Sequence, residues 1–376
     1  MIHTALCDLL GIPHPIIQGG MAWVSTSELV IAVSNAGGLG VVGSGNAPPQ
    51  WVAEQIDAVR RQTDRPFGVN VPLFSPYAEQ VMRLCAEEKV PVVTTGAGNP
   101  GPYIEPLRKA GVKVFPLVSS VALARRLARQ GVDGLIVEGQ ESGGHIGDVS
   151  TMPLIPQVVD AVDVLVIGAG GIADGRGLAA VLALGAVGVQ MGTRFICTCE
   201  CAVHASYKDK IVKAGDRATV ITGASLGHPV RTLKNRMSRE MAQLESQARI
   251  DEQELIAFGT GKLRLAAEQG DVENGSVMAG QVSGLISDIV PVATLIERMI
   301  HQAEEQIAAL LGMCAGTQAL ETWHADQMVS PLSLRLVHSL SAQRRVSARM
   351  ESPGRGPGGQ ESGKEGTQWT KRQQAS

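Results

Sequence analysis

Eight short runs rich in β-branched and other apolar residues recur along the first part of the chain at nearly even spacing. They centre on Ile16-Ile17, Val41-Val42, Phe67-Gly68-Val69, Val92-Val93, Val114-Phe115, Leu135-Ile136-Val137, Leu165-Val166-Ile167 and Gly188-Val189-Gln190. Roughly 20 to 30 residues separate successive runs, which leaves room for one crossover helix in each interval. The runs are continuous, the pattern of strands covered on both faces, and a doubly wound open sheet would share it. The last two end in Gly168-Ala169-Gly170-Gly171-Ile172-Ala173-Asp174-Gly175 and Gln190-Met191-Gly192-Thr193-Arg194-Phe195. In an eight-stranded barrel, the loops after strands seven and eight commonly hold a phosphate on backbone amides and a helix start. The pattern therefore predicts a TIM (β/α)8 barrel with its function at the carboxyl ends of the strands.

Helix punctuation fits between the strands. Ser120 caps a segment reaching Gln130, where Gly131 supplies the left-handed stop, and a similar unit runs from Ser27 through Ala36 to Gly37. After Phe195 the alternation ends. Residues 200–275 are polar and charge-rich with helical patterns such as Asn235 to Ala248, which predicts an inserted, mainly helical lid or small domain. The expected organisation is a barrel over 1–199, the insert over 200–275 and a segment over 276–316 that returns to the barrel, including a long helix from Val292 to Leu311. An extension follows over 317–349, and a tail rich in Gly, Gln, Lys, Ser and Arg over 350–376 lacks the apolar content to offset its ordering entropy, so disorder is expected there.

Of the 376 residues, 44% are hydrophobic but only 3% aromatic, so Val, Ala, Leu and Ile must fill the core. A formal charge of −3 gives no electrostatic reason to expect nucleic acid or an anionic membrane as partner. No basic segment with an apolar signal core opens the chain, and no uninterrupted apolar run of about 18 residues appears, so a cytoplasmic protein is expected. Six cysteines are too few for a disulfide framework, and Cys197, Cys199 and Cys201 are followed by no second Cys or His pair at zinc-site spacing. No metal is expected, and the thiols read as reduced.

Several motifs then occur in a fixed order. They are Gln18-Gly19-Gly20-Met21-Ala22-Trp23, Gly68-Val69-Asn70, Thr94-Thr95-Gly96-Ala97-Gly98-Asn99-Pro100, and Glu138-Gly139-Gln140-Glu141-Ser142-Gly143-Gly144-His145-Ile146-Gly147. The two glycine turns already quoted, Gly227-His228-Pro229-Val230-Arg231, and Met278 to Gln281 complete the set. Together these resemble the FMN-dependent enoyl-ACP reductase II branch of the nitronate monooxygenase superfamily, from about residue 3 to about residue 315. Beyond residue 316 the text departs from the family pattern, and nothing is carried over onto it.

The resemblance implies FMN as cofactor, NADH or NADPH as co-substrate, an enoyl thioester on acyl carrier protein as substrate, and His145 as the active-site histidine. A monovalent cation and a homodimer are further expectations of this kind. The residues read independently point the same way. Gly170 and Gly171, after Ala169, remove side chains where a phosphate approaches backbone amides, and Gly192 and Thr193 add amides and a hydroxyl from the next strand. Gln18, Gly19, Gly20 and Met21 would lie against the edge of an isoalloxazine ring, with a thioether that presses on an aromatic system. Asn70, at the end of strand three, can donate to and accept from a flavin's pyrimidine edge, or simply cap the strand. Glu138 could accept from the flavin or orient the following loop; Met278 and Gln281 follow from the resemblance.

His145 lies in a glycine-rich loop able to bring an imidazole to both flavin and substrate. Arg231, Lys234, Arg236 and Arg239 could steer an acidic carrier protein, or be a solvated helix face. Two alternatives stand beside the reductase. A nitronate monooxygenase would use the same barrel, FMN and histidine with oxygen, and a non-enzymatic flavin sensor would bind a partner through its insert.

Overall fold

A computed structural model describes residues 2–247 and 252–314, and the expectations for 317–349 and for a disordered tail lie outside these residues. Eight parallel strands close into a barrel: β1 (Ile16–Gln18), β2 (Leu39–Gly43), β3 (Phe67–Pro72), β4 (Val92–Gly96), β5 (Lys113–Val118), β6 (Gly134–Glu138), β8 (Leu165–Ala169) and β9 (Gly188–Met191), with β9 returning to β1. All eight predicted runs are barrel strands. A separate three-stranded antiparallel sheet joins β10 (Thr219–Thr222), β11 (Val230–Leu233) and β7 (Gly144–His145).

Strand alternation divides the apolar residues into two cores. Ile17, Leu39, Val41, Val92, Phe115, Ile136, Ile167 and Ala169 point into the barrel, where Leu6 and Leu10 of the helix Ala5–Leu10 join them. Their neighbours Ile16, Val42, Val69, Val93, Val114, Leu135, Val137, Val166 and Val189 face outward onto the helices. Both faces are therefore apolar, which is why these strands read as continuous runs.

Helix ends follow the local chemistry. The Ser120 hydroxyl accepts from the Leu123 amide at 3.3 Å and caps Val121–Ala128; the last turn tightens through Gly131 N–H to Ala128 O, with Gly131 at φ +80°. This places the helix end two residues before the expected one. The predicted C-terminal helix runs Val292–Cys314 and crosses Gly175–Ala183, where a Cβ on Gly175 would sit 2.4 Å from Met299 O. The insert carries four helices, Ala205–Val212, Arg236–Glu245, Glu252–Gly259 and Lys262–Gln269, and also the β10–β11 hairpin, which the sequence reading did not separate from its helices. That hairpin turns through two left-handed glycines, Gly223 and Gly227.

Close approach governs the top of the barrel. A Cβ on Gly43 would lie 2.3 Å from Met21 O, whereas one on Gly96 meets nothing within 4 Å. Gly43→Ala should cost about 2–3 kcal/mol, because the backbone of the β1 loop must yield. Gly96→Ala, close by on β4, should stay within about 0.5 kcal/mol. Urea unfolding of both variants checks this, and equal losses would contradict the packing assignment.

Candidate active site

Continuing the alternation to the carboxyl ends of the strands turns Asn70, Thr94, Glu138 and Gln190 inward, in the same orientation as Ala169. This rim is polar where the barrel below it is apolar. Asn70 Nδ2 donates to Thr94 Oγ1 at 2.9 Å, which fixes its amide. Gly19 and Gly20 then close over two of these side chains. A Cβ on Gly19 would stand 3.0 Å from Gln190 Cδ, and one on Gly20 would stand 2.2 Å from Asn70 Cβ. The glycine pair thus serves protein packing as well as any ligand.

Gln18 is fully buried and committed to the protein. Its Nε2 donates to Ser25 Oγ at 2.8 Å and its Oε1 accepts from the Val41 amide at 3.2 Å. It shapes the turn without presenting its side chain to a cofactor. Met21 N–H donates to the same Ser25 hydroxyl, and a Cβ on Gly192 would lie 3.2 Å from Met21 Sδ, so the thioether is brought beside the β9 turn.

The phosphate turn is narrower than expected. Gly170 and Gly171 are both left-handed, at φ +84° and +73°, and a Cβ on Gly170 would meet Gly139 O at 2.8 Å. Thr151 braces them: its hydroxyl lies 3.0 Å from Gly170 O and is held by Glu141 at 2.8 Å. The start of the helix Gly175–Ala183 is already occupied. Gly175 N–H donates to Gln302 Oε1, and the Arg176 and Gly177 amides donate to the Asp174 carboxylate. An anion placed there would face a like charge, so that helix start drops out of the phosphate site. The Gly171 and Gly192 amides make no hydrogen bond among the described residues and remain for it. Thr193 Oγ1 accepts from Gly280 N–H at 2.9 Å, which leaves its own hydrogen to donate.

Residues 278–281 lie along the loop after β6. Gln281 N–H donates to Glu141 O at 2.9 Å, and its side chain is exposed. A Cβ on Gly143 would lie 2.7 Å from Ala279, and one on Gly144 would lie 3.7 Å from Met278 Sδ. Tyr207 OH donates to Met278 O at 2.9 Å and fixes the segment from the insert.

His145 is not in a free loop but in β7, opposite Val230 of β11. Its ring is 5.6 Å from that of Phe74 and makes no hydrogen bond among the described residues. It is solvent-accessible on one side and crowded on the others, and this crowding, followed by the charge of His228, lowers its pKa below the usual imidazole range. Arg231, expected as part of a basic docking face, is instead only 4% exposed. Its guanidinium donates twice to Gln140 O, at 3.0 and 2.9 Å, and once to Thr219 Oγ1, so it ties the hairpin to the β6 loop. Lys234, Arg236 and Arg239 are exposed, and Arg236 pairs with Glu240. Cys197 and Cys201 are buried and Cys199 is exposed; burial pushes the Cys197 thiol up to about 12. Among the described residues no cluster suited to a metal ion occurs, and no helix is long and apolar enough to cross a membrane.

The rim fits a flavin. Gln190 is only 7% exposed, and its Oε1 has no protein partner. A buried acceptor left this way costs about 1–3 kcal/mol unless a ligand N–H meets it. Gln190, Thr94, Phe74 and His228 were not assigned from sequence. A single polar residue interrupting the apolar run Gly188-Val189-Gln190-Met191 was the available signal for the first of these.

Glu138 ends β6 on this rim, and burial pushes it up to about 7 although the Ser142 hydroxyl pulls it down. Between the ordinary carboxylate range and that value the folded protein keeps a proton that the unfolded chain has released, so this group's contribution to stability falls as pH rises through the window. Relative to Glu138→Gln, the flavin-free protein should lose on the order of 2 kcal/mol from pH 5 to pH 8, measured by urea unfolding. Parallel pH responses of the two proteins would contradict the assignment.

Comparison with known proteins now bears on this geometry. FabK from Thermotoga maritima superposes with a TM-score of 0.81 and 50% identity, covering 83% of this chain and all of that one. A (3aS,4S,5R,7aS)-5-hydroxy-7a-methyl-1-oxo-octahydro-1H-indene-4-carboxyl-CoA dehydrogenase of Mycobacterium tuberculosis is 35% identical over 80% of this chain and 96% of its own length. A probable nitronate monooxygenase of Staphylococcus aureus is 34% identical over 80% of this chain and 97% of its own. The family described as nitronate monooxygenase matches residues 3–81 and 72–302, nearly the whole of the barrel and insert. With that span matched, and with an FMN-sized polar rim at the carboxyl end of its barrel, the chain belongs to the nitronate monooxygenase family.

Proposed function

We propose that this protein is an FMN-dependent enoyl-thioester reductase that takes NADH or NADPH as reductant and acts on trans-2-enoyl groups carried by acyl carrier protein, the last step of fatty-acid elongation, in the cytoplasm. The observation that carries this reading is the 50% identity to FabK over that chain's full length, against 34% for the nitronate monooxygenase of Staphylococcus aureus. The carboxyl-CoA dehydrogenase relative adds that a thioester substrate is named elsewhere in the family.

Bound FMN would supply the hydride carrier between nicotinamide and substrate. The chain's own residues supply position and charge. Gln190 and Asn70 offer amide groups to the pyrimidine edge of the ring. The Gly171 and Gly192 amides and the Thr193 hydroxyl offer donors to the phosphate. As a hydride adds to the β-carbon of an enoyl thioester, the electron pair of the double bond moves onto the carbonyl oxygen. An imidazole N–H from His145 can donate to that oxygen, and the enolate then takes a proton at the α-carbon. Phe74, 54% exposed beside His145, gives the apolar acyl chain a surface at the mouth. Lys234, Arg236 and Arg239 present positive charge to an acidic carrier protein.

The nitronate reading draws on the family description and the same rim, and it differs in its oxidant. With oxygen excluded, NADH or NADPH oxidation on addition of a crotonyl thioester should match the saturated thioester formed. Reduced flavin that persists until oxygen is admitted would overturn the reductase in favour of the monooxygenase. His145→Ala should retain FMN and lose about 100- to 1,000-fold in turnover, the range for removing one donor to a developing oxyanion. Unchanged turnover would remove His145 from the chemistry.

A further inference from the structure

The motif Gly227-His228-Pro229-Val230-Arg231 brings a second imidazole to the mouth, and nothing above gives it a task. The pairing of β7 with β11 sets His145 opposite Val230 and Gly144 opposite Arg231, and Ile146 N–H donates to Pro229 O at 3.0 Å. His228, two residues before Val230, is therefore a diagonal cross-strand neighbour of His145, at a separation where side chains still interact. The loop that carries it is fixed. His228 N–H donates to Gly223 O at 3.2 Å, and a Cβ on Gly223 would lie 2.7 Å from His228 O. Arg231 anchors the same strand to Gln140 O from a buried position. His145 thus stands between an apolar ring, Phe74, and an imidazole, His228.

We propose that His228 is a positioning residue for His145: it takes up the first proton that reaches the mouth and so holds the His145 imidazole neutral, with an N–H free to donate. This rests on the reductase reading only for the use made of that N–H.

Two imidazoles this close do not readily carry charge together, because the first proton disfavours the second. The crowding around His145 adds to the same end. The other charged groups nearby are committed elsewhere: Glu141 to Thr151, and Arg231 to Gln140 and Thr219. Phe74 and Met278, from the β3 loop and the returning segment, carry no charge. His228 is the one group whose charge bears on His145.

The test follows the His145 ring in the FMN-loaded protein by proton–nitrogen correlation against pH, its signal assigned by loss in His145→Gln. In His228→Gln, His145 should take its proton at an about three- to tenfold lower proton concentration, and the acid limb of kcat/KM for a crotonyl thioester should move to higher pH with it. His228→Lys, which keeps a cation, should return the titration toward the wild-type position. An unmoved His145 titration in His228→Gln would overturn the proposal. So would an acid limb that stays in place while the plateau rate falls, since His228 would then act on substrate itself. The titration needs no substrate, so a wild-type protein that fails to reduce the thioester would defeat the reductase reading and leave this coupling separately measurable.

Discussion

Closing eight parallel strands into a barrel forces each strand to send alternate residues inward, and the inner residues at the carboxyl ends must either pack or meet a ligand. Here Ile17, Val41, Val92, Phe115, Ile136 and Ile167 fill the interior below, while Asn70, Thr94, Glu138 and Gln190 form the layer above. Polar groups in that position are tolerated only when bonded, and two of the four bond each other. The unpartnered Gln190 oxygen and the uncharged bias of Glu138 are what remains when the layer is built for something that occupies it.

The second constraint is attachment. The barrel supplies the floor of the site, but His145 belongs to a sheet whose other strands come from the insert. Arg231 joins the two by spending its guanidinium on Gln140 O and Thr219, and Tyr207 fixes the 278–281 segment through Met278 O. The geometry of the histidine is thus set by residues far along the chain. Loop flexibility, which the glycines around His145 suggest, is overruled by strand pairing.

Much of this was legible in sequence. The eight runs, the caps at Ser120 and Asn235 and the long C-terminal helix depend on short-range periodicity and turn chemistry, which a single sequence carries. The family motifs located the glycine turns and His145. What escaped depends on contacts distant along the chain. Arg231 looks like a surface charge until β11 is seen to bury it. Gln18 looks like a ligand until Ser25 and Val41 are seen to consume it. The start of the helix after Gly171 looks open until Asp174 and Gln302 fill it, the latter more than a hundred residues away. Gln190 was written in the motif but acquires meaning only through its inward direction.

The account turns on that rim being a flavin mononucleotide site, and a spectral titration of flavin-stripped protein with FMN and with riboflavin tests it most directly. The geometry predicts one FMN per chain, with riboflavin bound at least about tenfold more weakly, since the Gly171 and Gly192 amides and the Thr193 hydroxyl would have no phosphate to meet. Equal affinity for the two, or no spectral change with either, would contradict it.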